Sequence, residues 1–363
     1  MAATLRSRAV ALACAVTLPV AGAALSGCAV GPDYKRPKVE APTQHRGATA
    51  ADDRSAADLP FWDVYKDPRL TALLREALSG NFDVAIAATR IEDARAQARA
   101  AAWALAPTLG INLGGGYARG FPGVPSFFPP NLITGAWSAT GSLAWELDLW
   151  GRLRRLKEAA EHQLAATQHD RNAVQVALVG DLAEAYFRLL GVDRQRAYAA
   201  KAVETRKATL ALFQERLQGG VGNDLEVARA EANVREAEGL YASADRAVVI
   251  TENLLAFLAG KAPRAVAERP TLDALGEPPA IPAGLPSTLL ERRPDVALAE
   301  ALLAAATARV GVAVAGYFPR FDLTGSAGAL SDDLTKLGDP GHVEGIPAGN
   351  GVFSWPLPFL GGE

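Results

Sequence analysis

The sequence predicts a mainly α-helical chain with a membrane β-barrel part: long antiparallel coiled-coil helices plus four β-strands. Three observations predict it. Residues 131–262 contain no proline while both flanks are rich in it, which marks a long helical block between turns and strands. Short segments outside that block switch to a two-residue hydrophobic period. The plan of the first half then begins again 212 residues later.

Composition narrows the function classes. At 49% hydrophobic and 21% charged, the 363 residues form a folded protein rather than a disordered one. A net charge of −3 offers no basic field to nucleic acid, so no nucleic-acid partner is expected.

Residues 1–27 read as a signal peptide. Arg6 and Arg8 precede an apolar run over residues 9–25, too short and wrongly flanked for a spanning helix. The run ends in Leu25-Ser26-Gly27-Cys28, which resembles the bacterial lipobox. That resemblance implies cleavage before Cys28, a diacylglycerol thioether on its sulfur and an acyl group on its new amine. Several acyl chains give the stable anchoring that one cannot. Cys14 leaves with the signal, so the mature chain holds one cysteine and no disulfide. Ala29 follows, where an Asp tends to hold such lipoproteins at the inner membrane, so delivery to the outer membrane is expected. No later stretch approaches 18 uninterrupted apolar residues. A mature chain that crosses a membrane does so as strands of a closed barrel.

The elements follow in order. Residues 28–60 form an extended leader. Asp67-Pro68 opens a helix with Leu70, Leu73, Leu74, Ala77 and Leu78 on one stripe, and a second helix runs from Phe82 to about Leu105. Leu109, Ile111 and Leu113 then alternate with polar or small residues. Beyond the loop Phe121 to Pro130, Trp137 to Leu149 alternate more strongly, over a length that suits a tilted membrane strand. From Arg152 to Gln218 the 67 residues hold no proline, and at ~1.5 Å per residue they span roughly 100 Å. Val174, Leu178, Leu182, Ala185 and Leu189 form a narrow coiled-coil stripe, and a break or a segment nearer the membrane is expected, marked by Gly180 or Gly191. Gly219-Gly220-Val221-Gly222 ends this helix, and Asn223 or Asp224 caps its antiparallel partner, which runs to Leu258.

The plan repeats. Residues 61–262 are the first structural repeat and 263–363 the second. Phe318-Pro319-Arg320-Phe321 echoes Ala106-Pro107-Thr108-Leu109, Phe321 to Ala327 alternate, and Phe353 to Phe359 alternate again. The second copy stops at Leu360-Gly361-Gly362-Glu363, where the next helix should begin. The expectation is a repeat lacking its hairpin, and a tunnel short of staves that would not support efflux in this form.

Gly31-Pro32-Asp33-Tyr34, Trp145-Glu146-Leu147-Asp148-Leu149-Trp150-Gly151-Arg152, Gly284-Leu285-Pro286-Ser287, Leu289-Leu290-Glu291-Arg292-Arg293-Pro294-Asp295 and Tyr317-Phe318-Pro319 together resemble the outer-membrane factor family, the TolC-like ducts. The resemblance is greatest to the lipoprotein branch paired with resistance-nodulation-division pumps. It implies a homotrimer in which four strands per protomer close a twelve-stranded barrel above an α-helical tunnel. Partners would be a periplasmic adaptor, an inner-membrane efflux pump and outer-membrane lipid. Four strands alone leave two open edges, which lipid does not tolerate, so trimerisation is also a physical requirement. The family's gate lies mainly in the hairpin absent here, and no gate residue is carried over.

No catalytic or metal constellation and no cofactor are expected. His162 and His169 read as solvated helix residues without a matching motif, and Gly114-Gly115-Gly116 as a barrel bend. The functional residues would be those of a passage. Glu146, Asp148 and Asp322 fall on the polar strand face and would line the pore, biasing it toward cations. Gly219, Gly220, Val221, Gly222 and Asn223 would meet the adaptor. Two other readings are a coiled-coil periplasmic adaptor lipoprotein, disfavoured by strand length and duplication, and a lipid-anchored enzyme, which lacks a site.

Overall fold

The computed structural model describes residues 29–40, 42, 67–119, 133–275, 286–331, 334–337, 344–345 and 348–354. Leu25, Ser26, Gly27 and Cys28, the loop Phe121 to Pro130 and the last alternating residues from Trp355 lie outside them.

The described helices are α1 (Pro68–Gly80), α2 (Phe82–Trp103), α3 (Arg152–Gln218), α4 (Asp224–Leu258), α5 (Pro286–Arg292) and α6 (Pro294–Ala315). The strands are β1 (Thr108–Arg119), β2 (Ile133–Leu147), β3 (Arg320–Ser331) and β4, which comes in two pieces, Glu344–Gly345 and Ala348–Ser354. Both pieces pair with one edge of β3 in a single antiparallel register, so they are parts of one fourth strand. The repeat is visible in the boundaries. α2 and α6, and likewise β1 and β3, start and stop 212 residues apart.

The chain divides into two compact units. The first (residues 1–37, 93–165 and 300–363) holds the sheet, ordered β1-β2-β3-β4 and antiparallel throughout. The units cut across the repeats, because β2 of the first copy pairs with β3 of the second over eleven residue positions from Trp137↔Ser331 to Leu147↔Phe321. The second unit (residues 38–92 and 166–299) is helical. Its core joins Leu70, Leu74, Leu182, Tyr186, Leu189 and Leu255. Asp67 caps α1, accepting from the backbone N–H of Arg69 at 2.8 Å and of Leu70 at 3.2 Å, while its other oxygen accepts the Tyr186 hydroxyl at 2.7 Å. Burial, and then this bond to a carboxylate, push the Tyr186 hydroxyl well above the ordinary phenol value.

Four expectations need correction. α3 runs unbroken through Gly180 and Gly191. A Cβ at either would meet nothing, so these glycines sit on an open face and the continuous helical ladder outweighs their low propensity. α2 ends at Trp103, two residues before Leu105. β2 ends at Leu147, so Asp148 and Leu149 are not strand residues. Gly114, Gly115 and Gly116 do not bend the chain away but stay in register within β1. Gly115 stands opposite Trp137, whose ring would lie 1.9 Å from a Cβ there, so glycine makes room for the indole.

By length and composition α6 is apolar enough to cross a membrane, with a mean hydropathy of 1.6. Its small residues Ala304, Ala305, Ala308, Gly311 and Ala315 are nevertheless buried, and Glu300 takes the Tyr34 hydroxyl at 3.0 Å and the Arg36 guanidinium at 3.0 Å.

Candidate functional site

The sheet has two chemically opposite faces. The register places Leu109 beside Leu143, Ile111 beside Gly141 and Leu113 beside Ala139, and the next pairings add Trp145 beside Leu323 and Leu147 beside Phe321. One residue away along each strand, Thr108, Asn112, Ser138, Thr140, Ser142, Glu146, Asp322, Thr324 and Ser326 share the other face. The apolar face is bare: Leu109, Ile111 and Leu113 are 80%, 83% and 77% exposed. A sheet buried in a soluble core would cover these side chains, and an exposed apolar surface of this kind marks a partner or lipid. Among the described residues the outer edges of β1 and β4 pair with nothing. Trp145 is fixed on the apolar face by donating its indole N–H to the Leu105 carbonyl at 3.0 Å.

At the foot of the sheet the motif stretches meet. Gly151 makes the turn from β2 into α3 with φ +79°. Trp150 donates its indole N–H to the Pro319 carbonyl at 2.7 Å and stacks on Phe318 with 4.7 Å between ring centres. The leader docks here too. Val30 donates its backbone N–H to the Trp150 carbonyl at 3.0 Å, and Gly31, at φ +97°, lies so close to Gly311 that a Cβ would stand 2.4 Å from its Cα. Arg155 is only 5% exposed and donates to the carbonyls of Val30 and Gly31, both at 3.3 Å, and to Asp33 at 2.6 Å and Glu158 at 2.8 Å. Sequence reasoning found Gly31, Asp33 and Trp150 but missed Arg155, Glu300 and Gly311. These partners lie more than 100 residues from the leader and follow no period.

The three carboxylates are not equivalent. Glu146 sits on the polar face, held in a fork by Arg152 at 2.8 and 2.6 Å. This bond, opposed by burial, raises the Arg152 pKa above the ordinary arginine value, with Asp148 and Asp322 adding to it. Asp322 pairs in register with Glu146. Asp148 caps α3 instead, accepting from the backbone N–H of Leu153 at 3.0 Å and of Arg154 at 2.9 Å, and pairs with the Arg154 side chain at 3.2 Å. It satisfies two orphan donors of the helix start and is the one of the three that is not on the strand.

The hairpin tip is a glycine C-cap. Gly220, at φ +73°, donates to the Leu217 carbonyl at 3.0 Å and Val221 to that of Arg216 at 3.0 Å, the paired bonds of a Schellman turn. Asn223 then caps α4 through Glu226 N–H at 2.9 Å. Lys207 to Glu238 at 2.7 Å and Arg196 to Asp245 at 3.3 Å join the two antiparallel helices. Val221 is left 70% exposed at the turn. His162 lies on the helix surface, 4.0 Å from Glu158.

Comparison with known proteins agrees with this geometry. The family model described as "Outer membrane efflux protein" matches residues 73–261 and 285–361. A probable efflux pump outer membrane protein of Pseudomonas putida, TtgC, is 34% identical over 331 residues, covering 89% of this chain and 68% of that protein. The solvent efflux pump outer membrane protein SrpC of Pseudomonas putida is 36% identical over 335 residues, covering 87% and 68%. The open state of the Neisseria gonorrhoeae MtrE outer membrane channel superimposes with a TM-score of 0.77 at 30% identity, over 91% of this chain and 73% of that one. Two of these relatives are named as efflux pump outer membrane proteins and one as an outer membrane channel, and the chain belongs to the outer membrane efflux protein family.

Proposed function

We propose that the protein is the outer-membrane channel subunit of a tripartite efflux system, a passive exit duct for drugs or other small molecules. It works as a homotrimer with a periplasmic adaptor and an inner-membrane pump, and is tethered by lipid on Cys28. The observation that carries this reading is the two-faced sheet, bare on its apolar side and open at both edges. Three such sheets joined edge to edge place hydrocarbon outside and water inside, and leave no unpaired edge in lipid. The test is fractionation. The protein is expected in outer-membrane fractions as an SDS-resistant trimer that boiling converts to monomer. A freely soluble monomer after loss of the Cys28 anchor would overturn the reading.

Within the pore, Glu146 and Asp322 face water and Arg152 offsets their charge. Asp148, committed to the helix start, contributes little to conduction. Glu146→Gln leaves Arg152 without its fork partner, so the reconstituted trimer is expected to move toward anion preference. Glu146→Gln with Arg152→Gln is expected to restore the parent value. Reversal potentials in a salt gradient measure both, and a single variant indistinguishable from the parent would remove these residues from the selectivity argument.

The tip is the surface proposed to meet the adaptor. Val221→Glu puts a charge on its exposed apolar residue without disturbing the Gly220 turn. It is expected to lower adaptor crosslinking several-fold with trimer yield unchanged. Undiminished crosslinking would exclude the contact.

A further inference from the structure

An open groove of about 440 Å³ lies at the foot of the apolar face. Its apolar lining is Leu105, Trp145, Leu147 and Leu149, and Glu146, Asp148 and Arg154 add polar groups to its wall. The volume falls in the range of pockets that take a small ligand, roughly 300–1,000 Å³. Its shape is held independently of any ligand. Trp145 is bonded to the Leu105 carbonyl, and Arg154 donates to the Asp148 carbonyl at 3.1 Å and its carboxylate at 3.2 Å.

The leader comes to the same place. A Cβ built on Gly151 would stand 2.6 Å from the Ala29 Cα and 3.5 Å from Arg154 Nη2, so Ala29 and the groove's arginine flank one point. Val30 is tied to Trp150, and the next residues are clamped by the buried Arg155. Cys28 is one peptide bond from Ala29, and consecutive Cα atoms are about 3.8 Å apart. Ala29, the described residue that follows Cys28 in sequence, therefore stands beside the groove's arginine.

We propose that the groove is the seat of the protein's own lipid. One acyl chain on Cys28 lies against Leu105, Trp145, Leu147 and Leu149, and the strap Val30–Asp33, locked by Arg155, delivers it there. The proposal rests on the reading of the sheet as a membrane wall and of Cys28 as lipidated. Arg155 is the positioning residue. The lipid then meets the bilayer at the foot of β2, so the anchor sets the height at which the sheet enters hydrocarbon.

The experiment uses the mature chain, whose only thiol is Cys28, coupled to a palmitoyl-maleimide bearing a diazirine and reconstituted as trimers in phosphatidylethanolamine nanodiscs. After illumination, peptide mass spectrometry should find crosslinks concentrated on Leu105 and on Trp145 to Leu149. They should be at least tenfold above those given by a free diazirine phospholipid with the Cys28→Ser chain. Arg155→Gln should spread the tethered crosslinks over other peptides while the trimer persists. Equal labelling by the free phospholipid would make this a general lipid contact. Tethered crosslinks elsewhere, or a pattern unchanged in Arg155→Gln, would overturn the proposal. Failure to recover SDS-resistant trimers from native outer membranes, or an unlipidated Cys28 in their intact mass, would count against the underlying reading instead.

Discussion

Ile111→Arg is expected to abolish recovery of the trimer from outer-membrane fractions, whereas Asn112→Arg, one residue along the same strand, is expected to leave it. Ile111 is 83% exposed on the apolar face, and its cross-strand neighbour is Gly141, which offers no side chain to shield a guanidinium. On the lipid side of a barrel an arginine near the midplane costs about 2–4 kcal/mol per protomer. Three protomers multiply that cost in one cooperative assembly. Asn112 belongs to the polar face, with its amide 3.4 Å from the Ser142 hydroxyl, and an arginine there reaches water. The single-residue offset makes the pair decisive, because the two substitutions share chemistry, strand and depth and differ only in face. Trimer yield and urea midpoints of the folded barrel read the effect. Equal recovery of the two variants would mean that β1 does not face lipid.

How much of this was legible in the sequence depends on the range of the interaction. Alternation in β1 to β3 could be read because side chains change face at every residue, and the register then preserved the apolar set across all three strands. Helix ends were legible where a local cap decides them: Asp67, Asn223 and the glycine turn at Gly220 act within two to five residues. The alternation failed at Asp148-Leu149. The pattern polar-then-apolar is the same whether the chain continues as a strand or turns to cap a helix. What separates the two is Gly151 at positive φ, followed by the N–H groups of Leu153 and Arg154 that begin α3 and donate to the Asp148 carboxylate. Glu146 and Asp322 were correctly placed on the polar strand face, but not their compensation by Arg152, a fork formed around the turn across six residues. Arg155 was invisible for a different reason. Its partner Asp33 is 122 residues away in sequence, and nothing in the local pattern distinguishes a buried arginine from its solvated neighbours on the same helix.

The same blindness to long-range pairing hid an ionic clasp whose loss should cost the helical unit dearly. Arg269, on the connector after α4, donates to both oxygens of Asp193 on α3, to Glu252 on α4 at 2.6 Å and to the Val266 carbonyl. Glu252 also accepts the Val266 backbone N–H at 3.2 Å, so one guanidinium ties the connector to two helices. The bond to Asp193, opposed by burial and reinforced by Glu252, holds Arg269 above the ordinary arginine pKa, and the side chain stays cationic. Glu252 is buried and Asp193 half-buried. Removing the shared cation strands the buried Glu252 carboxylate and leaves Asp193 with Arg196, 3.2 Å away, as its remaining cation. Breaking one partner out of a buried pair costs about 3–5 kcal/mol, and the partial exposure of Asp193 puts Arg269→Ala at the lower end, about 3 kcal/mol. Arg269→Lys should recover only part of this, since an ammonium cannot fork onto Asp193 while reaching Glu252. Adding Asp193→Asn and Glu252→Gln to Arg269→Ala should return more than half of the loss, because the cost lies in the stranded charges. Helical circular dichroism against urea measures all three. A loss below about 1 kcal/mol for Arg269→Ala, the range of an exposed surface pair, would show that apolar packing of Val266 holds the connector without the ionic clasp.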